Sequence, residues 1–270
     1  MPELAEVEYY RKQWLPCLGE KVAALSVHRE KRVFREVDLK ALLDGLSNQI
    51  FKSAERHGKQ MCFRFGQRHY LGLHLGMTGK IWILGSDQEA GKHDHLCITM
   101  QSGRVLVFSD SRMFGRIRYA CSASAPDWWQ DLPPEPSSDV YTFEQMNHSL
   151  DRHARAPVKA VLLIQEDFPG VGNWMADEIL WRSGIFPGTR AGVVGPKKRR
   201  ELYRNLRRVC DDALRVIGTD WGRPPNSWLF NHRWKDGGRC PKTGKLLRRT
   251  MIGGRTTCWS PNWQRYRGKS

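Results

Sequence analysis

The first six residues, MPELAE, place an imino acid beside two carboxylates. Once Met1 is removed, Pro2 carries a secondary amine that can attack an aldehyde carbon and give a cationic iminium. The pKa of a free α-amine is roughly 7.7–8.0, and a helix that starts there lowers it, so part of the amine is unprotonated near neutral pH. Glu3 and Glu6 are expected on one face of the first helical turn, as general acid or base and as orienting group. The alternative is that Pro and Glu simply begin a helix.

The composition predicts a polyanionic partner. The chain has 44 Lys and Arg against 28 Asp and Glu, which gives a formal net charge of +16. Such an excess favours binding to nucleic acid. Several of the 11 Trp residues lie next to Arg or Lys in the sequence, where they could stack on bases while the cations hold phosphates. Most Trp residues are nevertheless expected in the core.

The sequence also predicts an intracellular protein. No stretch is apolar enough to span a membrane, and the N-terminal region is too charged for a secretory signal. The 7 Cys residues are odd in number and lack the spacing of a disulfide framework, which fits reduced thiols. A bacterial cytoplasm, with the protein associated with the nucleoid, is the favoured compartment, and a eukaryotic nucleus is the alternative.

Hydrophobic periodicity separates a strand-rich region from a helical one. Val7, Tyr10 and Trp14 predict a first helix over about residues 3–16. Short alternating segments bounded by Gly then predict a β-sandwich or barrel-like sheet. These segments are 21–29, 48–56, 60–66, 69–75, 79–84, 94–100, 104–109 and 115–121. Further on, the period changes and predicts helices at roughly 142–149, 157–165, 174–184 and 197–217.

These patterns predict an α+β protein with four regions. Residues 1–121 hold the first helix and the β-sandwich, and the Ser- and Pro-rich stretch 122–141 is predicted to be a linker. Residues 142–218 form the helical domain. Residues 219–270 form a basic tail whose one regular pattern is a hairpin around 245–258.

A glycine-rich turn, FPGVGN at residues 168–173, precedes the third of the predicted helices. Exposed amides at such a helix start, including that of Gly172, can hold a phosphate. Asn173 would add a side-chain donor at the cap position, and Lys159 on the preceding helix could reach the same anion. The alternative is that a helix hairpin uses Gly for purely steric reasons.

The basic tail contains two Cys residues that resemble halves of zinc-binding pairs. Cys240 and Cys258 are each followed three residues later by a residue unsuited to zinc, Thr243 and Pro261 respectively. The sequence therefore predicts no metal. Arg255 follows two glycines at the expected hairpin tip, where its guanidinium could meet a phosphate. Otherwise it is an ordinary surface residue.

Taken together, the motifs resemble those of the formamidopyrimidine-DNA glycosylase and endonuclease VIII family of bifunctional DNA repair glycosylases. The resemblance covers nearly the whole chain, and the motifs occur in the family's order. The matching segments are 2–8 (PELAEVE), 57–59 (HGK), 74–79 (HLGMTG), 92–95 (KHDH), 110–115 (DSRMFG), 170–173 (GVGN) and 254–257 (GRTT). The resemblance implies a β-sandwich domain, a helix-two-turn-helix domain and a finger hairpin without zinc.

The resemblance also implies a reaction. Pro2 would attack C1′ of a damaged nucleotide and expel the base, with Glu3 as general acid or base and Glu6 in support. Elimination of the 3′ and then the 5′ phosphate would leave a one-nucleotide gap. No cofactor is implied, because the iminium itself accepts the electrons.

Further residues are implied to hold damaged DNA, the expected partner of a monomeric enzyme. Lys59, in the family's catalytic-lysine hairpin, would act with Asn173 and Arg255 on the phosphates around an extruded nucleotide. Met77, Arg112 and Phe114 would fill the gap left in the duplex. The members of the KHDH segment, His93 and His95, are expected to be structural.

Three departures from the family pattern leave a second hypothesis open. Ala5 stands in place of a proline, Met113 in place of a second arginine, and the finger lacks two Cys residues. The finger is therefore expected to be held by Leu246, Leu247, Met251 and Trp259. The segment 218–240 is shorter than the family's lesion-capping loop, which favours oxidised pyrimidines and ring-opened purines over 8-oxoguanine. The alternative is a protein that binds lesions or abasic sites without catalysis; a pure binder has no need to keep Pro2, Glu3 and Lys59.

Overall fold

The computed structural model describes residues 2–85 and 87–265, and the chain divides into two compact units. The first unit comprises Pro2 and Glu6–Leu132, and the second comprises Glu3–Ala5 and the described residues from Pro133 onward. The division falls inside the segment predicted to be a linker. That segment also contains a short helix, α3 in chain order, at Asp127–Gln130.

The first helix, α1, spans Leu4–Gln13 and is followed by a 3₁₀ turn at Leu15–Cys17. Val7 and Trp14 are fully buried, which confirms the predicted apolar face. The Trp14 ring lies 4.6 Å from that of Phe63, and its indole N–H donates to the carbonyl of Trp82 at 3.0 Å. Glu3 precedes the helix, so the expectation that Glu3 and Glu6 share its first turn is wrong.

Eight antiparallel strands follow, as the alternating segments predict. They are β1 Val22–Val27, β2 Phe51–His57, β3 Gln60–Phe65, β4 His69–His74, β5 Lys80–Leu84, β6 Asp94–Met100, β7 Val105–Ser109 and β8 Arg116–Cys121. They form two four-stranded sheets, with the orders β1-β6-β7-β5 and β2-β3-β4-β8. A helix that the sequence did not predict, α2 at Leu39–Leu46, is capped by Asp38, whose carboxylate accepts from the amide of Ala41.

Side chains from both sheets meet in one hydrophobic core, which makes this a β-sandwich. Phe51, Phe63 and Phe65 project from one sheet, and Leu106 and Phe108 from the other. All five are fully buried, and burying one such side chain contributes about 1.5–3 kcal/mol. This rigid core supports the loops at the strand ends.

The second unit is built on four helices, α4 Phe143–Arg152, α5 Val158–Leu162, α6 Asn173–Ser183 and α7 Pro196–Asp220. Thr142 and Gln145 form a capping box at the start of α4. Leu4 and Ala5 belong to the core of this unit, and the Leu4 amide donates to the carbonyl of Gly170 at 3.0 Å. Among the described residues, no helix is both long and apolar enough to cross a lipid bilayer.

The finger hairpin pairs strand β9, Arg248–Ile252, with strand β10, Arg255–Trp259. Gly253 and Gly254 form its two-residue turn with φ of 58° and 74°, a conformation that favours glycine. The hairpin confirms the sequence pattern, but its predicted packing is partly wrong. Leu246 and Met251 are exposed. The hairpin's core is instead formed by Trp181, Leu229, Cys240, Leu247 and Cys258.

Candidate active site and nucleic-acid interface

The carboxylate of Glu3 caps helix α6. Its two oxygens accept hydrogen bonds from the backbone amides of Trp174 at 2.9 Å and Met175 at 3.1 Å. Glu3 is 4% exposed, and the N-terminal end of a helix stabilises a negative charge. The carboxylate next to Pro2 in the sequence is therefore held in one orientation.

Because Gly172 has no side chain, the carboxylate of Glu3 has room to reach the start of α6. A Cβ atom at residue 172 would lie 2.1 Å from Cδ of Glu3. Gly172 is the N-cap of α6, and Asn173 is its first residue, so the expected cap position of Asn173 is wrong. The amides of Trp174 and Met175 hold Glu3, and the phosphate contact at the amide of Gly172 stays a prediction.

Lys159 lies in a buried cluster of charges rather than at the surface. Its Nζ donates to Asp177 at 2.5 Å, and Arg233 donates to the same carboxylate at 2.6 Å. Lys159 and Asp177 are both 0% exposed. Burial lowers the pKa of Lys159, and Asp177 partly offsets that effect. The predicted contact of Lys159 with DNA is therefore not supported.

The buried cluster instead attaches the finger hairpin to α6. The carbonyl of Thr256, the residue after Arg255, accepts from Lys159 at 3.3 Å and from the side chain of Asn173 at 3.0 Å. The amide of Cys258 donates to Asp177 at 3.0 Å. Asp177 was missed by the sequence analysis. Asp177 lies four residues after Asn173, on the same helix face. It is a charged residue in an otherwise largely apolar stretch, a pattern that indicates a buried polar contact.

Arg255 is exposed at the start of β10, next to the carbonyl that Asn173 binds. At the turn, a Cβ atom on Gly253 would lie 2.7 Å from Cβ of Ala160 in α5, so the hairpin tip packs closely on that helix. Arg255 and Asn173 therefore lie close together in the second unit, as their predicted joint role requires.

The finger residues do not fit a zinc ion. The indole N–H of Trp181 donates to Sγ of Cys240 at 3.3 Å. The ammonium of Lys242 lies 4.6 Å and 4.3 Å from the rings of Trp181 and Trp263. A cation stacked beside the thiol repels a metal ion. Within the described residues, no group of three or more His, Cys, Asp or Glu could hold a metal.

In the first unit, Lys59 follows the turn of the β2–β3 hairpin, where Gly58 has φ of 56°. Lys59 is 7% exposed, which is unusual for an ordinary hairpin lysine. Gln60, the next residue, pairs with His74 on β4. Burial and the positive charge of Lys59 lower the pKa of His74 from 6.5 to about 4. A neutral imidazole thus lies beside the lysine.

The three residues predicted to fill a gap in the duplex lie on two adjoining loops. Met77 is 41% and Phe114 is 43% exposed, and the Arg112 guanidinium lies 4.8 Å from the Phe114 ring. A Cβ atom on Gly76 would lie 2.5 Å from the backbone of Phe114, so the loops are in contact. Exposed apolar side chains presented together suit insertion between bases.

Asp110, a residue without a predicted role, holds these two loops in place. Its buried carboxylate accepts from Thr78 Oγ1 at 2.6 Å and from the Gly115 amide at 2.6 Å. Its carbonyl lies 3.0 Å from His95 Nε2. His95 therefore has a structural contact, as expected. His93 also has one, because its carbonyl accepts from the amide of Asp110.

The two remaining predicted residues lie at the start of the chain. Pro2 and Glu6 are both half-buried. Glu6 lies close enough to Tyr10 to add to the effect of burial in raising the pKa of that phenol. The expected removal of Met1 concerns a residue outside those described.

The β-sandwich, the helical unit and the finger hairpin are the architecture expected of a DNA glycosylase with a helix-two-turn-helix domain. The family model for the formamidopyrimidine-DNA glycosylase N-terminal domain matches residues 1–117, and that for its H2TH domain matches residues 132–221. The chain belongs to the formamidopyrimidine-DNA glycosylase family.

Individual relatives agree with this assignment. The formamidopyrimidine-DNA glycosylase of Alkalilimnicola ehrlichii is 32% identical over 281 residues, covering 98% of this chain and 100% of the relative. That of Xanthomonas axonopodis pv. citri is 33% identical over 276 residues, with coverage of 98% and 100%. A complex of Lactococcus lactis Fpg with DNA containing an abasic site has the same fold, with a TM-score of 0.87 at 23% identity and coverage of 98% and 100%.

Proposed function

We propose that this chain excises oxidised bases from DNA and cuts the strand at the resulting abasic site through an imine between Pro2 and C1′. Membership of the family supports base-excision repair by a DNA glycosylase with lyase activity. The observation that carries the finer proposal concerns Glu3, the residue directly after Pro2. Its two carboxylate oxygens are fixed by the backbone amides of Trp174 and Met175.

In the proposed reaction, the unprotonated amine of Pro2 forms a bond to C1′ as the bond from C1′ to the base breaks, and the base leaves with the bonding electron pair and takes up a proton from water. Glu3 exchanges the proton that opening of the sugar requires. The iminium then accepts the electrons released when a proton leaves C2′, and the C3′–O bond breaks. A second elimination breaks the C5′–O bond, and water releases the amine.

The phosphate contacts are proposed for residues whose positions suit them. Arg255 and Asn173 adjoin one another in the second unit, and Lys59 lies on its own hairpin in the first. Met77, Arg112 and Phe114 are proposed to occupy the space that an extruded nucleotide leaves. Gly172, the N-cap of α6, is retained as a proposed amide donor to phosphate, whereas Lys159 is excluded because its buried ammonium binds Asp177.

The substrate preference is proposed from the short segment 218–240. With less chain available to cover a bicyclic base, oxidised pyrimidines and ring-opened purines are preferred over 8-oxoguanine. Excision rates on matched duplexes that carry one of each lesion measure this preference directly. Faster excision of 8-oxoguanine than of an oxidised pyrimidine would contradict it.

Borohydride trapping on an abasic-site duplex tests the mechanism. The intact mass of the protein is measured first, to show that Met1 is absent. Reduction of the imine should give a covalent adduct on residue 2. The adduct should be lost in Pro2→Gly if the secondary amine is required, while Glu3→Gln should trap more slowly. Absence of an adduct on protein that lacks Met1 would favour the alternative, a lesion-binding protein without catalysis.

A further inference from the structure

A cavity of about 280 Å³ lies in the first unit, on the sheet that contains β4 and β8. Three arginines, Arg35, Arg116 and Arg118, line it together with His74 and Trp128. None of the three arginines belongs to the residues proposed for catalysis or phosphate binding. Arg116 and Arg118 share one face of β8 because side chains two apart on a strand point the same way.

The cavity has more positive charge than its protein partners neutralise. Among the described side chains, Glu36 forms the acidic ion pairs of all three arginines. Its oxygens lie 3.9 Å from Arg35, 3.5 Å from Arg116 and 3.8 Å from Arg118, and its side chain is 46% exposed. Such long contacts to an exposed carboxylate are weak.

The arginines also repel one another. Burial and the charge of Arg116 lower the pKa of both Arg35 and Arg118. His74 adds no compensating negative charge. Guanidinium groups held together in this way favour an anion with several oxygen acceptors, such as a phosphate.

One wall of the cavity is aromatic. Trp128, on the short helix α3, lies against Gly72, where a Cβ atom would be 2.7 Å from the indole ring. The guanidinium of Arg118 lies 5.8 Å from the same ring. An indole face beside a cation is a surface on which a nucleic-acid base can stack.

We propose that this cavity binds one unpaired nucleotide of a DNA strand, with its phosphate on Arg35, Arg116 and Arg118 and its base against Trp128. Phe114 and Gln60, the neighbour of Lys59, also line the cavity, so it adjoins residues proposed to hold DNA. A paired base is stacked on both faces and cannot use the indole; an unpaired base can. The inference rests on the DNA binding described under the proposed function and extends it to a second nucleotide.

The test compares two duplexes that carry the same stable abasic-site analogue, one fully paired and one with the surrounding bases mismatched to form a bubble. Binding is measured by fluorescence anisotropy for the wild type, Arg118→Gln, Trp128→Ala and Trp128→Phe. Arg29→Gln, an exposed arginine outside the cavity lining, is the control with the same change in charge. Thermal melting of each variant confirms that it is folded.

The wild type should bind the bubble more tightly than the paired duplex by about tenfold, the scale of one base stacked on an aromatic ring. Arg118→Gln and Trp128→Ala should lose this preference, whereas Trp128→Phe and Arg29→Gln should keep it. In addition, 5-iododeoxyuridine placed in the bubble should crosslink on irradiation to the peptide that contains Trp128. Absence of a preference in the wild type, or equal loss in Arg118→Gln and Arg29→Gln, would overturn the inference.

Failure of this inference is distinguishable from failure of the proposed function. A trapped adduct at Pro2 without a bubble preference removes the nucleotide cavity and leaves the glycosylase mechanism intact. A bubble preference that depends on Arg118, without a trapped adduct at Pro2, supports the nucleotide cavity and removes the glycosylase mechanism.

Discussion

Two clusters of positive charge in this molecule have opposite environments. In the buried cluster of the second unit, Lys159 and Arg233 share the carboxylate of Asp177 at 2.5 and 2.6 Å, and all three side chains are buried. In the cavity cluster of the first unit, three arginines share one half-exposed carboxylate at 3.5 to 3.9 Å. The same residue types thus stabilise the fold where protein acceptors close around them, and form a candidate ligand site where they do not.

The largest effect is expected from Asp177→Ala. Removing this carboxylate leaves two cations buried without their partner, which costs about 3–5 kcal/mol of unfolding free energy. Urea denaturation measures this loss. Asp139→Ala is the control, because Asp139 pairs with Arg207 while fully exposed. A loss for Asp177→Ala as small as that of the control would contradict the structural role of the buried cluster.

Gly172→Ala should follow in size. The new methyl group would displace Glu3 from its position at α6, and overpacking of this kind costs roughly 1–3 kcal/mol. Trapping at Pro2 should slow as well. Gly195 is a matched control, since it is the N-cap of α7 and a Cβ atom there meets nothing within 4 Å. Equal stability and equal trapping rates for the two variants would disprove the steric argument.

The neutral imidazole beside the cavity cluster predicts a pH dependence. The pKa of His74 falls from 6.5 to about 4 on folding, so the unfolded chain binds the proton first as the pH drops. The contribution of His74 to stability should therefore decline from about pH 6.5 to about pH 4 and be constant above that range. The free energy of unfolding, measured by denaturation at several pH values, should fall less steeply with decreasing pH for His74→Gln than for His148→Gln, the control at an exposed residue.

The smallest effect is expected from Glu36→Gln. Removing the shared carboxylate should strengthen DNA binding at low salt by about 1.4-fold to fivefold, because an exposed ion pair is worth roughly 0.2–1 kcal/mol. Glu55→Gln, an exposed carboxylate in the same unit, makes the same change in net charge elsewhere. Weaker DNA binding by Glu36→Gln, or an equal gain in affinity in the control, would show that the three arginines of the cavity do not bind an anion of the DNA.

Local patterns in the sequence predicted the elements well. Alternating apolar residues identified all eight strands of the sandwich, and the two glycines before Arg255 identified the finger turn. These features depend on residues close together in the chain. Even the cavity left a local trace, since Arg116 and Arg118 alternate with Ile117 on one strand. Arg35, which completes the cluster, comes from a distant segment.

The residues whose contacts were wrongly predicted are mainly those whose partners lie far away in the sequence. Lys159 looked like a phosphate ligand because Asp177, 18 residues away, was not recognised as its counter-ion. Glu3 was assigned to the turn it precedes, although its carboxylate caps a helix 171 residues later. Met251 was expected to contribute to the packing that holds the finger, but it is exposed on β9.

The separation of Glu3 and Trp174 along the sequence also determines when the proposed catalytic site can be completed during synthesis of the chain. The ribosome must add 171 residues after Glu3 before the amide that orients this carboxylate exists. A nascent or truncated chain that has folded only its β-sandwich therefore has a Glu3 carboxylate without the α6 amides that orient it. On the mechanism proposed for Pro2 and Glu3, the chain becomes active only after α6 has been synthesised.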